Sequence, residues 1–231
     1  MSELTIKASD GGSFGGYLAS PASGKGPGIL VIQEIFGVNK VMRDLCDGYA
    51  RAGYFAFCPD LFWRQQPGIQ ITDKSEAEWA RAFELYKGFD VAKGVADLKA
   101  SLAALRKLPD CTAKIGSVGY CLGGKLAYLM ATRTDADCNV GYYGVAIEAD
   151  LGEAARIAKP LMLHIAEKDQ FVPPAAQAQI KAALGANKLV TLHVYPGQDH
   201  AFSRVGGQHY DKPSADSANA RTAAFFKQHL S

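Results

Sequence analysis

Hydrophobic positions along the chain switch repeatedly between a two-residue period, or short unbroken apolar runs, and a 3.6-residue period. Alternation over 4–8 and 13–19 around Asp10-Gly11-Gly12 predicts an opening β-hairpin at a sheet edge. The run 28–34 is almost wholly apolar, as a strand covered on both faces requires. Asn39 can cap a helix through 52 with Val41, Met42, Leu45 and Tyr49 on one face, and Gly53 stops it. A second strand over 54–59 precedes the polar, proline-bearing excursion 60–68. Ser75 and Glu78 form a capping box for a helix over 75–87, whose Trp79, Phe83 and Tyr86 recur at helical spacing. That stripe reads as core-facing, with a pocket wall as the alternative. Asp90 caps a further helix through 108 carrying Val91, Val95, Leu98, Leu102 and Leu105.

The second half repeats the alternation. Short β-rich runs cover 114–119, 139–145, 160–166 and 189–195, and helices are predicted after the first of them and over 173–184 and 214–229. Strands alternating with helices define an α/β chain with a mostly parallel sheet, helices on both faces and an N-terminal antiparallel hairpin. One domain over 1–231 is expected, with ligands bound beyond the C-terminal ends of the strands.

Composition changes this picture little. Hydrophobic residues make up 48% and charged residues 21%, ordinary globular values. A net charge of +2 without basic runs speaks against nucleic acid and membrane lipid, so the expected partner is a small molecule. The opening Met1-Ser2-Glu3-Leu4-Thr5 has no basic and apolar leader, and no apolar run is long enough for a membrane helix, which predicts a cytoplasmic location. Five cysteines, widely spaced and without C-x-x-C, argue against a disulfide frame and a zinc site. No metal or cofactor is expected, and a monomer is.

One cysteine stands apart. Gly119-Tyr120-Cys121-Leu122-Gly123-Gly124 obeys the G-x-nucleophile-x-G rule of a strand-to-helix elbow, with cysteine at the nucleophile position. Small neighbours are what a strained turn needs, and the helix starting there would point N–H groups and a positive dipole end at the sulfur. Cys121 is expected to stand exposed. The plainer alternative is a glycine turn around a structural cysteine.

A nucleophile needs a base, and the base an orienting carboxylate, just past later strands. Asp169 follows the run 160–166 and His200 follows 189–195. The chain order nucleophile, acid, histidine suits this sheet architecture. Asp199 and Glu167 remain alternatives for the acid. His164 and His193 lie inside strands and read as core or surface residues, while His209 and His229 lack a strand-end setting.

The blocks 33–39, 58–61, 119–124, 141–144, 169–173 and 200–204 together resemble the dienelactone hydrolase (carboxymethylenebutenolidase) family, a cysteine-bearing branch of the α/β-hydrolase fold. The resemblance implies that Cys121 is the nucleophile, His200 its acid–base partner and Asp169 the residue orienting His200. It implies an oxyanion hole from the backbone N–H groups of Leu122 and Ile35. It further implies that Glu34 pairs with Arg204 at rest and takes the thiol proton when an anionic substrate draws Arg204 away. Phe36, Tyr143, Trp79, Phe83, Arg81 and Arg204 would contact substrate, Arg204 as the carboxylate anchor. Trp79 and Phe83 stand where the family pattern has an arginine and a tyrosine; Arg81 lies two residues on, turned by about 200° on a helix.

The implied reaction is hydrolysis of a lactone or activated ester, with dienelactone going to maleylacetate through a Cys121 thioester. A carboxylesterase of the same family acting on another ester is the alternative, and a small-molecule-binding scaffold with Cys121 as a redox sensor is a non-enzymatic one. A glutamine-amidotransferase-like enzyme would need a His-x-Glu pair that is missing after the elbow. Ser117 and Ser203 lack the glycine pattern of a serine nucleophile.

Overall fold

A computed structural model describes residues 4–231; Met1, Ser2 and Glu3, which open the segment read above as lacking a leader, lie outside them. The chain forms two compact units, one ending at Ile115 and one starting at Gly116.

In the first unit β1 (Ile6–Lys7) and β2 (Ser13–Phe14) pair antiparallel around a turn in which Gly11 adopts φ 98°. The hairpin is shorter than its sequence pattern, because its second arm breaks after Phe14. The continuation, β3 (Gly16–Ala19), runs off to another partner. Next come β4 (Gly26–Ile32), α1 (Lys40–Arg51) and β5 (Phe55–Pro59). β5 lies antiparallel to β3 and parallel to β4. A side chain at Gly16 would sit 2.2 Å from the Cys58 carbonyl, so only glycine lets β3 approach.

Asn39 caps α1 as expected, accepting from the Met42 N–H. The helix turns differently from the face expected for it: Met42, Cys46 and Ala50 are buried, while Val41, Leu45 and Tyr49 flank them half-buried. The i, i+4, i+8 line is the one that packs on β5. Across the excursion 60–68 the Asp60 carboxylate accepts from the Phe62 and Gly68 N–H groups at 3.0 and 2.8 Å.

α2 (Glu76–Lys87) starts at Ser75, whose hydroxyl accepts from the Glu78 N–H. The core-facing reading of its aromatic stripe is wrong. Ala82 and Leu85 face the interior, Trp79 and Tyr86 are half-buried, and Phe83 is 45% exposed. Gln65 of the excursion donates to the Leu85 carbonyl, which turns the Ala82 and Leu85 face inward and leaves the rings towards the outside. α3 (Val91–Leu105) is capped by Asp90, stops three residues early, and buries Val95, Leu98, Leu102 and Leu105.

The second unit is built on parallel strands. β6 (Cys111–Tyr120) leads into α4 (Leu122–Arg133), then β7 (Cys138–Tyr142), β8 (Leu161–Ala166), α5 (Pro174–Leu184), β9 (Val190–Tyr195) and α6 (Lys212–Leu230). A 3-10 helix over Ile147–Arg156 packs on α4 and α5. Its short turns leave no long apolar period in the sequence. The registers Tyr120 to Tyr142, Tyr142 to His164 and Ala166 to Tyr195 bring the C-terminal ends of these strands to one rim. The sheet is mixed and mainly parallel, with helices on both faces and the antiparallel hairpin at the N-terminus.

All five cysteines are free thiols. Burial pushes the Cys46 and Cys138 thiols up, which keeps them protonated and inert.

Candidate active site

Cys121 sits between the last residue of β6 and the first of α4 with φ 55° and ψ −114°. A non-glycine residue pays about 1–3 kcal/mol for such a conformation, so the surroundings must impose it. They do so by close approach. A Cβ at Gly119 would lie 1.9 Å from the Gly123 carbonyl oxygen, and one at Gly124 would lie 2.6 Å from that of Tyr142. The Cys121 N–H donates to the Tyr142 carbonyl at 3.1 Å, and its own carbonyl accepts from Gly124 and Val145. The segment after β7 therefore lies along the elbow, and Cys121 is only 8% exposed, not open to solvent as its pattern suggested. Leu122 opens α4, where the first N–H groups have no carbonyl one turn back.

His200 and Asp169 arrive from the loops after β9 and β8. His200 Nδ1 lies 2.8 and 3.0 Å from the two Asp169 oxygens, and both side chains are buried. With Nδ1 donating to the carboxylate, Nε2 is the ring nitrogen left for a second partner. Burial alone favours the neutral ring. The charge on Cys121 and the hydrogen bonds to Asp169 and Cys121 overcome it and raise the His200 pKa to about 10.

The alternative acids serve elsewhere: Glu167 accepts from the Gly197 N–H at 2.8 Å, and Asp199 accepts from the backbone N–H groups of Gln170 and His200. His164 is a buried core residue between the Tyr195 hydroxyl and Thr222, as its place in a strand suggested.

Two rings frame the imidazole. Tyr143 and Phe171 meet it edge-on at centroid distances of 5.0 and 4.9 Å. Tyr143 is itself held at φ 38°, with its hydroxyl 3.2 Å from Ser203 Oγ. Phe171, whose N–H donates to Asp169 at 2.9 Å, was not singled out from the sequence. Only the pairing of two loops distant in sequence reveals it. Ala201 adopts φ 63°, so positive φ marks residues beside both Cys121 and His200. Arg204 is half-buried three residues further along, its N–H donating to the Ala201 carbonyl.

In the first unit Glu34 and Ile35 are buried just past the end of β4. Phe36, Trp79 and Phe83 form a run of rings, Phe36 edge-on to Trp79 at 5.1 Å and Trp79 stacked on Phe83 at 5.5 Å. Arg81 points away from this run, as its 200° offset requires, and donates to Glu84 and Gln66. Among the described residues no group of three or more His, Cys, Asp and Glu could hold a metal ion.

The sequence profile described as the dienelactone hydrolase family matches residues 14–230. This chain belongs to the dienelactone hydrolase family. A protein of Azospirillum brasilense is 54% identical over the full length of both chains. A carboxymethylenebutenolidase of Pseudomonas sp. (strain P51) is 40% identical over 97% of this chain and 94% of its own. Among solved structures, a Klebsiella pneumoniae protein superposes with a TM-score of 0.85 at 29% identity, covering 98% of each chain. As a member of the dienelactone hydrolase family the protein has the α/β-hydrolase fold and is a hydrolase acting on esters. Among the described residues no helix is long and apolar enough to cross a membrane.

Proposed function

We propose that this dienelactone hydrolase family member opens an enol-lactone through a thioester on Cys121, acting on dienelactone (4-carboxymethylenebut-2-en-4-olide) to give maleylacetate. The observation that supports it most is that buried His200 bonds both Asp169 oxygens through Nδ1, which leaves Nε2 as its proton-transfer atom, and is near enough to Cys121 for that residue to raise its proton affinity. The thiolate adds to the lactone carbonyl, and the oxyanion is met by backbone N–H groups, that of Leu122 at the start of α4 and that of Ile35. Each such donor stabilises the transition state by about 3 kcal/mol. The ring C–O bond then breaks, and the leaving enolate takes the Nε2 proton of His200. Neutral His200 next removes a proton from water, whose oxygen attacks the thioester and releases the carboxylate and the Cys121 thiolate. Asp169 holds the imidazole with Nδ1 protonated throughout.

Arg204 is the proposed anchor for the substrate carboxylate, and Glu34 the proposed base that takes the proton from any Cys121 still in the thiol form when substrate binds. The protein is proposed to work as a monomer on a carboxylate-bearing small molecule.

A second reading is favoured by Trp79 and Phe83, which occupy the sequence positions where the family pattern has an arginine and a tyrosine and which form a run of rings with Phe36. It is a carboxylesterase of the same family with an apolar ester as substrate. The test is to compare hydrolysis of a lactone bearing a free carboxylate with that of its neutral methyl ester, in wild type and in Cys121→Ala. Loss of turnover in C121A with an acylated wild-type enzyme, seen by intact mass, supports the thioester. Preference for the anion supports the first reading, and preference for the ester the second. Full activity in C121A overturns both.

A further inference from the structure

We propose that Asp199 and His209 are positioning residues for His200: the Asp199 carboxylate ties the loop carrying Asp169 to the loop carrying His200, and His209 ties the following loop to the His200 backbone. This rests on His200 being the acid–base residue, as proposed above.

Asp199 Oδ1 accepts two backbone N–H groups, that of Gln170 at 3.2 Å and that of His200 at 2.6 Å. Gln170 is the residue after Asp169, so a single oxygen bonds next to the acid on one side and at the histidine on the other. The same two loops are joined by Lys168 N–H to Gln198 carbonyl at 2.7 Å and by Gly197 N–H to Glu167 at 2.8 Å. These last bonds link the loops where they leave the sheet. The Asp199 bridge acts at their tips, where the imidazole and carboxylate must meet.

His209 comes from the loop ahead of α6. Its Nδ1 lies 3.2 Å from the His200 carbonyl oxygen and 3.6 Å from Asp199 Oδ2. A carbonyl only accepts, so Nδ1 carries the proton and donates to it. His200 thus has its N–H held by Asp199 and its carbonyl held by His209. It needs both, because the next residue, Ala201, sits at φ 63°, a conformation the backbone would otherwise leave. The two side chains are 29% and 32% exposed, so their packing adds little to the core, and the bonds to the His200 backbone are the reason to expect an effect on the site.

The experiment uses the full chain with Asp199→Ala, Asp199→Asn, His209→Ala and His209→Asn. Asparagine at 199 keeps an acceptor oxygen for the two N–H groups, and asparagine at 209 keeps an N–H near the place of Nδ1. Turnover is measured per active site, alongside the NMR titration of the His200 ring in free enzyme. D199A and H209A are expected to lower kcat about tenfold with KM unchanged, the scale of a small misplacement at a reacting group. They should also move the His200 titration below its wild-type position, since looser contact with Asp169 and Cys121 removes what raises it. Both asparagine variants are expected to recover kcat and titration towards wild type. Unchanged kcat and titration in the alanine variants overturn the inference. So does a loss in D199A that D199N fails to recover, because the effect would then come from the charge. The titration needs no substrate, so turnover surviving in C121A would sink the thioester while leaving this readout to decide the positioning.

Discussion

Gly119, the second-to-last residue of β6, faces the carbonyl of Gly123 in the first turn of α4 so closely that a Cβ would lie 1.9 Å from the oxygen. Backbone meets backbone there, so no side-chain rotation can relieve the clash. Gly119→Ala should cost about 3 kcal/mol or more of stability and remove activity, as overpacking against an unyielding partner does. Gly152→Ala, where a Cβ meets nothing within 4 Å, is the control and should unfold at the wild-type urea midpoint. Equal midpoints for G119A and wild type would show that the elbow relaxes.

The pH dependence of activity should report His200. Burial lowers its affinity for a proton, but Cys121 and Asp169 outweigh burial, so the imidazolium persists to about pH 10. Protonation of the leaving enolate needs that imidazolium, and the rate of thioester formation should therefore fall as pH rises through this region. Asp169→Asn removes one raising influence and moves the fall to lower pH. Stopped-flow acylation rates in both proteins check this; an unmoved alkaline limb in D169N assigns it to another group.

Stability on the acid side should be governed in part by His164. Its ring is buried, with Nδ1 2.8 Å from the Tyr195 hydroxyl and Nε2 3.0 Å from Thr222 Oγ1. Burial, then the charges of His193 and Arg221, hold its pKa well below the ordinary histidine value. The unfolded chain takes the proton near pH 6.5 and the folded chain refuses it. Stability is thus complete above pH 6.5 and falls below it, by about 1.4 kcal/mol per pH unit for one such group. Urea unfolding from pH 7 to pH 5 should show this slope, and His164→Gln should flatten it by one group's share.

The N-terminal hairpin should depend on a buried charge pair. Arg64 bonds the fully buried Asp97 of α3 and, at 2.9 Å, Asp10 in the hairpin turn, and Trp63 Nε1 donates to Asp97 at 2.9 Å. Arg64→Met strands the fully buried Asp97 carboxylate without its cation, at a cost of about 3–5 kcal/mol. Arg64→Met combined with Asp97→Leu removes both charges and should recover most of that loss. Thermal unfolding of the two variants measures it; a double variant no better than R64M would mean packing, not charge, holds this corner.

Local signals carried much of this protein in plain view. Asn39, Ser75 and Asp90 cap the helices assigned to them, and the apolar runs lie in β4, β5, β7, β8 and β9. Capping and alternation act over three to eight residues, so a linear reading can resolve them. The elbow motif and the strand-end places of Asp169 and His200 were legible for the same reason. The facing direction of an amphipathic helix was not, because the α2 stripe depends on what lies against it. Ala82 and Leu85 won the interior over the rings of Trp79 and Phe83. Nor could spacing reveal the burial of Cys121, Phe171 beside His200, or Asp199 bridging two loops. The sequence by itself determined most of the elements and their order, and it set Cys121, Asp169 and His200 at the ends of strands. Tertiary structure alone decided which side chains meet, because contacts between residues tens of positions apart depend on parallel register and loop closure, which leave no periodic trace in the chain.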